Sequence, residues 1–433
     1  MDLKRPPCPW TGGRLLFTKT RLRYDGLRSA FGYNRNMCIK FVLGEHMSTY
    51  AIKADAFYLP TRVARGGYLM VEDGVFGEYV TEAPDCEIRD YSGCEIAPGY
   101  VDTHIHGFDN HDIMDCESES VAIVSRGILR NGVTSYLPTT LTASTEQLER
   151  ACASVAEYVE AGDETPHARI QGIFLEGPFF TEKYKGAQNP AYLSAPTMEK
   201  LNAWQTAAHG LVKKIAVAPE YEGAVEFTAE AVKSGVVVAL GHSAATCEQA
   251  QACLDAGAKV FVHTYNGMSG LHHREPGMVG AALSSQDKSF SELICDGHHV
   301  NPISAGIVMH AKGHEHVALI TDCMCAGGMP DGDYFLGELP VVVAGGTARL
   351  KDGGSLAGSI LNMKDAVKNV YEWGIATKAE AVYMATQAPA EANDIADECG
   401  SIRPGRHADF VVLNSDLTLV ETYLGGESVY VER

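Results

Sequence analysis

The stretch Tyr100-Val101-Asp102-Thr103-His104-Ile105-His106-Gly107 is a short apolar run that opens onto two histidines one residue apart. In a strand, residues i and i+2 share a face, so both imidazoles converge on one point. Paired neutral imidazoles suit a transition metal, and Gly107 lets the chain turn away just beyond them. His-x-His also arises by chance, so the pair carries weight only with support from the rest of the chain.

That support lies in what recurs around it. From Ile96 onward, apolar runs alternate with helical stretches, and glycines fall where helix C-caps belong, at Gly132, Gly162, Gly210, Gly235, Gly257 and Gly313. Such alternation implies a parallel sheet. The strands end at His106, Thr140, Glu176, Glu220, His242, His263, Asp296 and Asp322, eight in all, each on a polar residue. Eight units of this kind predict an α/β fold of the (β/α)8 TIM-like barrel type, whose active sites sit at those strand ends. A doubly wound open sheet is the structural alternative, but it needs no catalytic-type residues on so many ends.

The flanks read differently. From Tyr50 to Glu95, alternating runs such as Gly67–Val71 and Phe76–Val80 surround the turn Asp73-Gly74, an antiparallel β pattern. After Asp322, Pro340–Val343 and Thr347–Leu350 read as a hairpin insertion, helical periodicity resumes from Met363 to Ala396, and Gly400–Leu413 opens a last set of strands. The two β flanks are expected to pair, giving a small β-sandwich domain from residues 47–97 and 395–433 beside a barrel of residues 98–394. Residues 1–46 carry frequent Arg and Lys, Pro-Pro and Gly-Gly pairs and no sustained periodicity. They read as a loosely attached extension, and a misplaced start ahead of Met47 explains them equally well.

A net charge of -20 over 433 residues disfavours nucleic acid and anionic membranes as partners, so any bound phosphate must be held by local donors. The 12 cysteines include no CxxC pair, which fits reduced thiols and a cytoplasmic protein. No apolar run approaches the roughly 20 residues a bilayer needs, and the N-terminus shows no secretory h-region.

Gathered at one barrel mouth, Glu176, His242 and His263 form a two-histidine, one-carboxylate set of the catalytic kind, with an open coordination position. His104 and His106 leave enough ligands for a second ion bridged by a carboxylate. A single histidine at a strand end is more often a hydrogen-bonded core residue. Five such residues on four strand ends are hard to explain that way.

The segments APGYVDTHIHG, IFLEGPF, YKGAQNP, GHSAAT, HTYNGMSGLHHREPG, CDGHHV, LITDCMCAGG and SLAGS follow one another in the order and spacing of the N-acetylglucosamine-6-phosphate deacetylases of the amidohydrolase superfamily, which the chain resembles from about residue 50 onward. The resemblance implies metal-dependent hydrolysis of the acetamide of N-acetyl-D-glucosamine 6-phosphate to glucosamine 6-phosphate and acetate, in amino-sugar catabolism and cell-wall sugar recycling. It implies that Glu176, His242 and His263 hold one divalent ion, that His104 and His106 serve a second, with zinc or iron favoured, and that Asp322 is the general acid/base. Arg274 and His299 match phosphate-binding positions, with His299 expected from a neighbouring subunit and therefore a homodimer with shared active sites. Asn266, the Gly267 backbone and the Ala187 backbone match sugar or phosphate contacts. Gln188 departs from the pattern, because several relatives carry histidine there, near the acetyl group. Deacetylation of the galactosamine epimer is the alternative within enzymes, and a non-catalytic sugar-phosphate binder is the alternative outside them.

Overall fold

A computed structural model describes residues 49–432. The expected extension, residues 1–46, lies outside the described residues. Eight parallel strands follow one another around the barrel: Tyr100–Ile105, Val133–Thr140, Ile173–Leu175, Val212–Val217, Val237–Leu240, Val260–Phe261, Phe290–Leu293 and Val317–Leu319. Every residue of the second strand is buried, as a strand covered on both faces requires. The third strand is preceded by a two-residue segment, Arg169–Ile170, on the same neighbour, and the chain bends between them at Gly172, whose φ of 141° suits glycine.

The seam between the eighth and first strands closes just beyond the regular eighth strand. Asp322 N donates to His104 O at 2.8 Å, His106 N donates to Cys323 O at 2.9 Å, and Ile105 bridges Cys323 in parallel. Asp102 completes it, accepting from Thr321 Oγ1 at 2.6 Å. The six glycines expected at helix ends all have positive φ, from 71° to 108°. Several helix starts are fixed by side-chain caps, for example Ser144 before Thr145–Ala161 and the Thr246/Gln249 capping box before Cys247–Asp255.

The two β flanks pair as the sequence implies. Phe410–Asn414 lies antiparallel to the end of Glu87–Pro98, with Phe410 opposite Pro98 and Asn414 opposite Cys94. The resulting eight-stranded sheet wraps a separate core that includes Phe57, Phe76, Phe410 and Tyr423, and forms the small β-sandwich domain. One pairing departs from the antiparallel expectation: Thr49–Leu59 and Glu87–Pro98 run parallel, because the intervening short strands, Arg62–Arg65, Tyr68–Glu72 and Val75–Val80, return the chain to the end at which it began. The insertion after Asp322 has three strands rather than a hairpin alone. Gly332–Leu336 precedes Leu339–Ala344 and Thr347–Leu350, and its mostly solvent-facing GDYFL sequence hides it from an apolar-run reading.

Candidate active site

Several barrel strands are shorter than the apolar runs, and the chain carries their polar end residues past the ladder on sharp bends. His242, His263 and Asp322 all have left-handed backbones, with φ of 46°, 28° and 50°. Such conformations are costly for non-glycine residues and persist where surrounding bonds over-determine them. Here the bends turn three side chains inward onto one spot.

Glu176, His242 and His263 meet there. His242 Nε2 and His263 Nε2 stand 3.1 and 3.0 Å from Glu176 Oε1, and 3.0 Å from each other. Donor atoms sharing one metal at about 2.1 Å would be spaced by about 3.0–3.4 Å. His106 Nε2 lies 3.4 Å from Glu176 Oε2 and 3.1 Å from Asp322 Oδ1. His104 Nε2 lies 3.5 Å from both Glu176 Oε1 and Asp322 Oδ1, buried and without a hydrogen-bond partner. Two donor groups can therefore hold a cation, His104 with Glu176 and His263, and His104 with His106 and Asp322.

The outer ring nitrogens are all committed. His106, His242 and His263 place Nδ1 at 3.2, 3.0 and 3.1 Å from the carbonyls of Thr139, Tyr184 and Asn266. A carbonyl only accepts, so each Nδ1 carries the hydrogen and each Nε2 faces the cluster. His104 Nδ1 instead meets Glu292 Oε2 at 3.1 Å, and the other Glu292 oxygen is bonded to Lys214 Nζ. Strand-end reasoning missed Glu292 and Lys214. They sit inside strands, and the only signal was a charged residue interrupting an apolar strand.

The charges of the cluster suit it to a cation. Burial penalises the carboxylate forms of Glu176 and Asp322, yet the neighbouring histidines outweigh it and hold both pKa values down. Burial likewise opposes charge on His104, but Asp322 and Glu176 raise it to about 9, and His106 is raised well above its ordinary range. His263 goes the other way, lowered chiefly by burial. Two ionised carboxylates facing four imidazoles, one with an orphaned Nε2, thus call for positive charge, which protons or a divalent cation can supply.

The cluster forms the floor of a cavity of about 350 Å³ lined also by Ala187, Gln188, Asn266, Gly267 and His299, and by Leu336 and Leu356 from the insertion and the loop after it. Gln188 is more constrained than expected. Its Nε2 donates to Glu176 Oε2 at 2.8 Å and its Oε1 accepts from Thr142 N at 2.9 Å, so it braces the carboxylate as well as lining the cavity. Arg274 is not among the lining residues; it is exposed, with Nη1 2.8 Å from His273 Nε2. His299 corrects the expectation that it reaches the pocket from a neighbouring subunit. It lines the cavity of its own chain, because the loop leaving the seventh strand returns it there and Asp296 fixes its ring through Nδ1 at 2.6 Å.

The amidohydrolase family pattern matches residues 96–429. The chain belongs to the amidohydrolase family. This amidohydrolase is 40% identical over 336 residues, 78% of its length and 83% of the relative's, to N-acetylglucosamine-6-phosphate deacetylase from Vibrio furnissii. It is 37% identical to N-acetylgalactosamine-6-phosphate deacetylase from Escherichia coli O157:H7, over 85% of its own length and 99% of the relative's. Among solved structures, it is similar to a mutant of N-acetyl-D-glucosamine-6-phosphate deacetylase from Mycobacterium smegmatis in complex with N-acetyl-D-glucosamine-6-phosphate, with a TM-score of 0.83 at 32% identity, covering 89% of this chain and 100% of that one. Amidohydrolases are metal-dependent hydrolases, and the donor set here fits that chemistry. Among the described residues no helix is long and apolar enough to cross a membrane, and the ten described cysteines are free.

Proposed function

We propose that this amidohydrolase removes the acetyl group of N-acetyl-D-glucosamine 6-phosphate, giving glucosamine 6-phosphate and acetate. The observation that carries the proposal is the convergence of Glu176, His242, His263, His106 and Asp322 on the floor of a cavity whose wall includes His299 and Asn266, with His104 buried against Glu176 and Asp322 just behind it. Glu176, His242 and His263 would hold one divalent ion, and His104 and His106 would serve a second; imidazole-dominated donors favour zinc or iron over magnesium. A cation there supplies Lewis acidity to the amide carbonyl and acidifies a water.

The remaining work falls to the chain's own groups. Asp322, held ionised by His104 and His106, accepts the proton of the attacking water and returns it to the sugar's 2-nitrogen as the C–N bond breaks, since an amide anion is too poor a leaving group. The lining groups His299, Asn266 and the Gly267 and Ala187 backbones would bind the sugar and its phosphate. Gln188 keeps Glu176 in place and leaves one amide hydrogen for the acetyl oxygen.

The phosphate site would be completed in a homodimer, with the two donors' origins reversed from the sequence expectation: His299 from the chain's own loop and Arg274 from the other copy. Arg274 lies outside the cavity, and Leu271, Ile303 and Ile307 expose 60%, 76% and 50% of their surface on neighbouring elements, an apolar face suited to a second copy. The test is acetate release from purified protein given N-acetylglucosamine 6-phosphate, its galactosamine epimer and unphosphorylated N-acetylglucosamine. Release from the first substrate is expected, and no release from either phosphate would refute the proposal. The galactosamine reading is kept as second because the Escherichia coli enzyme for that epimer aligns over 99% of its length.

A further inference from the structure

Glu292 and Lys214 lie inside the barrel beneath the cluster, on the seventh and fourth strands, with side chains fully buried. Lys214 Nζ bonds one Glu292 oxygen and stands 3.9 Å from the centre of the Phe174 ring, which also packs edge-on against His104 at 4.9 Å. The second Glu292 oxygen faces His104 Nδ1 at 3.1 Å. The Glu292 carbonyl accepts from Thr264 N at 2.8 Å, which ties the same residue to the loop that carries His263.

Burying an ion pair carries a heavy desolvation cost, and an apolar pair of similar volume would pack a barrel interior as well. The pair is therefore weak as a stabilising device and needs another task. His104 indicates what it is. The other three clustered histidines are oriented by neutral backbone carbonyls, and His104 alone by a carboxylate. A carboxylate accepts and never donates when ionised, so in the neutral ring that binds a cation the hydrogen must sit on Nδ1 and the lone pair on Nε2, the atom left without a partner.

We propose that Glu292, anchored by Lys214, is a positioning residue that fixes the tautomer, orientation and donor strength of His104 for cation binding. The inference rests on the metal-dependent reading above. It adds that the donor groups containing His104 owe their affinity to a charge pair one layer below them.

The test uses metal-stripped full-length protein titrated with cobalt(II), read by its visible absorption and by chelator competition, with thermal melts alongside. Wild type, Glu292→Gln and the double variant Lys214→Met/Glu292→Gln are compared. Glu292→Gln keeps an acceptor but loses the charge, and 10- to 100-fold weaker cobalt binding is expected, in the range for loss of such outer partners. The double variant removes the unbalanced lysine as well, so its melting temperature should return toward wild type while cobalt binding stays weak. Unchanged cobalt affinity in Glu292→Gln, or full recovery of both affinity and melting temperature in the double variant, would assign the pair to packing alone and overturn the proposal. A wild-type protein that binds no cobalt overturns the metal reading and this inference together, whereas wild-type binding with unaffected variants overturns only the inference.

Discussion

Replacing Asp322 with Asn separates proton transfer from structure unusually well. Asp322 occupies a left-handed backbone position with φ of 50°, a conformation asparagine adopts readily. Its backbone bonds, N to His104 O at 2.8 Å and O from Ser359 N at 2.7 Å, are untouched by the change. The amide can still place an oxygen near His106 Nε2, where Oδ1 now stands at 3.1 Å. What disappears is the charge and the ability to carry a proton. General acid/base groups contribute about 10²- to 10⁴-fold, so turnover should fall at least about a hundredfold, or about 2.7 kcal/mol of transition-state stabilisation. Acetate release under saturating substrate measures it, with melting temperature and bound metal recorded on the same preparation. The melting temperature should change far less than turnover, and a cation held by Glu176, His242 and His263 should stay bound. A variant that keeps more than about a tenth of wild-type turnover, below the lower edge of that range, would show that another group moves the proton.

Four further outcomes follow from the same geometry. Glu176 touches His104, His106, His242 and His263, so Glu176→Gln should strip the protein of both cations; elemental analysis of wild type should give two per subunit when metal is in excess, and one or fewer would refute a paired site. His104 is raised from 6.5 to about 9 in the folded metal-free protein, so its stabilising contribution is full below pH 6.5 and fades as pH climbs to 9, while cation affinity rises over that window as the proton is displaced; a pH-independent dissociation constant would contradict this. His299→Ala and Arg274→Ala should each raise KM for the phosphorylated sugar much more than for N-acetylglucosamine, and mixed subunits of the two should regain activity in one of two pockets; no recovery after subunit exchange would exclude a shared site. A Cβ at Gly107 would lie 2.3 Å from His111 O, so Gly107→Ala should cost about 1–3 kcal/mol of stability in a denaturant titration.

Much of the barrel was readable because strand order and glycine caps leave local traces, such as Gly132 and Gly313 at helix ends. The cluster was readable because its members are polar residues where apolar runs stop. Glu292 and Lys214 were not, since a strand-interior charge looks like a solvent-facing position until the barrel closes around it. The origin of His299 was misassigned for a related reason: its path depends on the loop geometry that Asp296 imposes, which no spacing reveals. The role of Gln188 as a brace also needed three dimensions, because Thr142 and Glu176 approach it from two different strand ends.

The seam that joins the last barrel strand to the first is made by the residues of the cluster. The amide hydrogens of Asp322 and His106 form its closing bonds, to His104 and Cys323. Any transient opening of the barrel at this joint therefore parts Asp322 from His104 and His106, and a ligand that binds across them acts as a rivet. Amide exchange at His106 and Asp322 should then slow when a divalent ion binds, whereas the sandwich strands, such as Phe410–Asn414, exchange at rates the ion leaves unaltered.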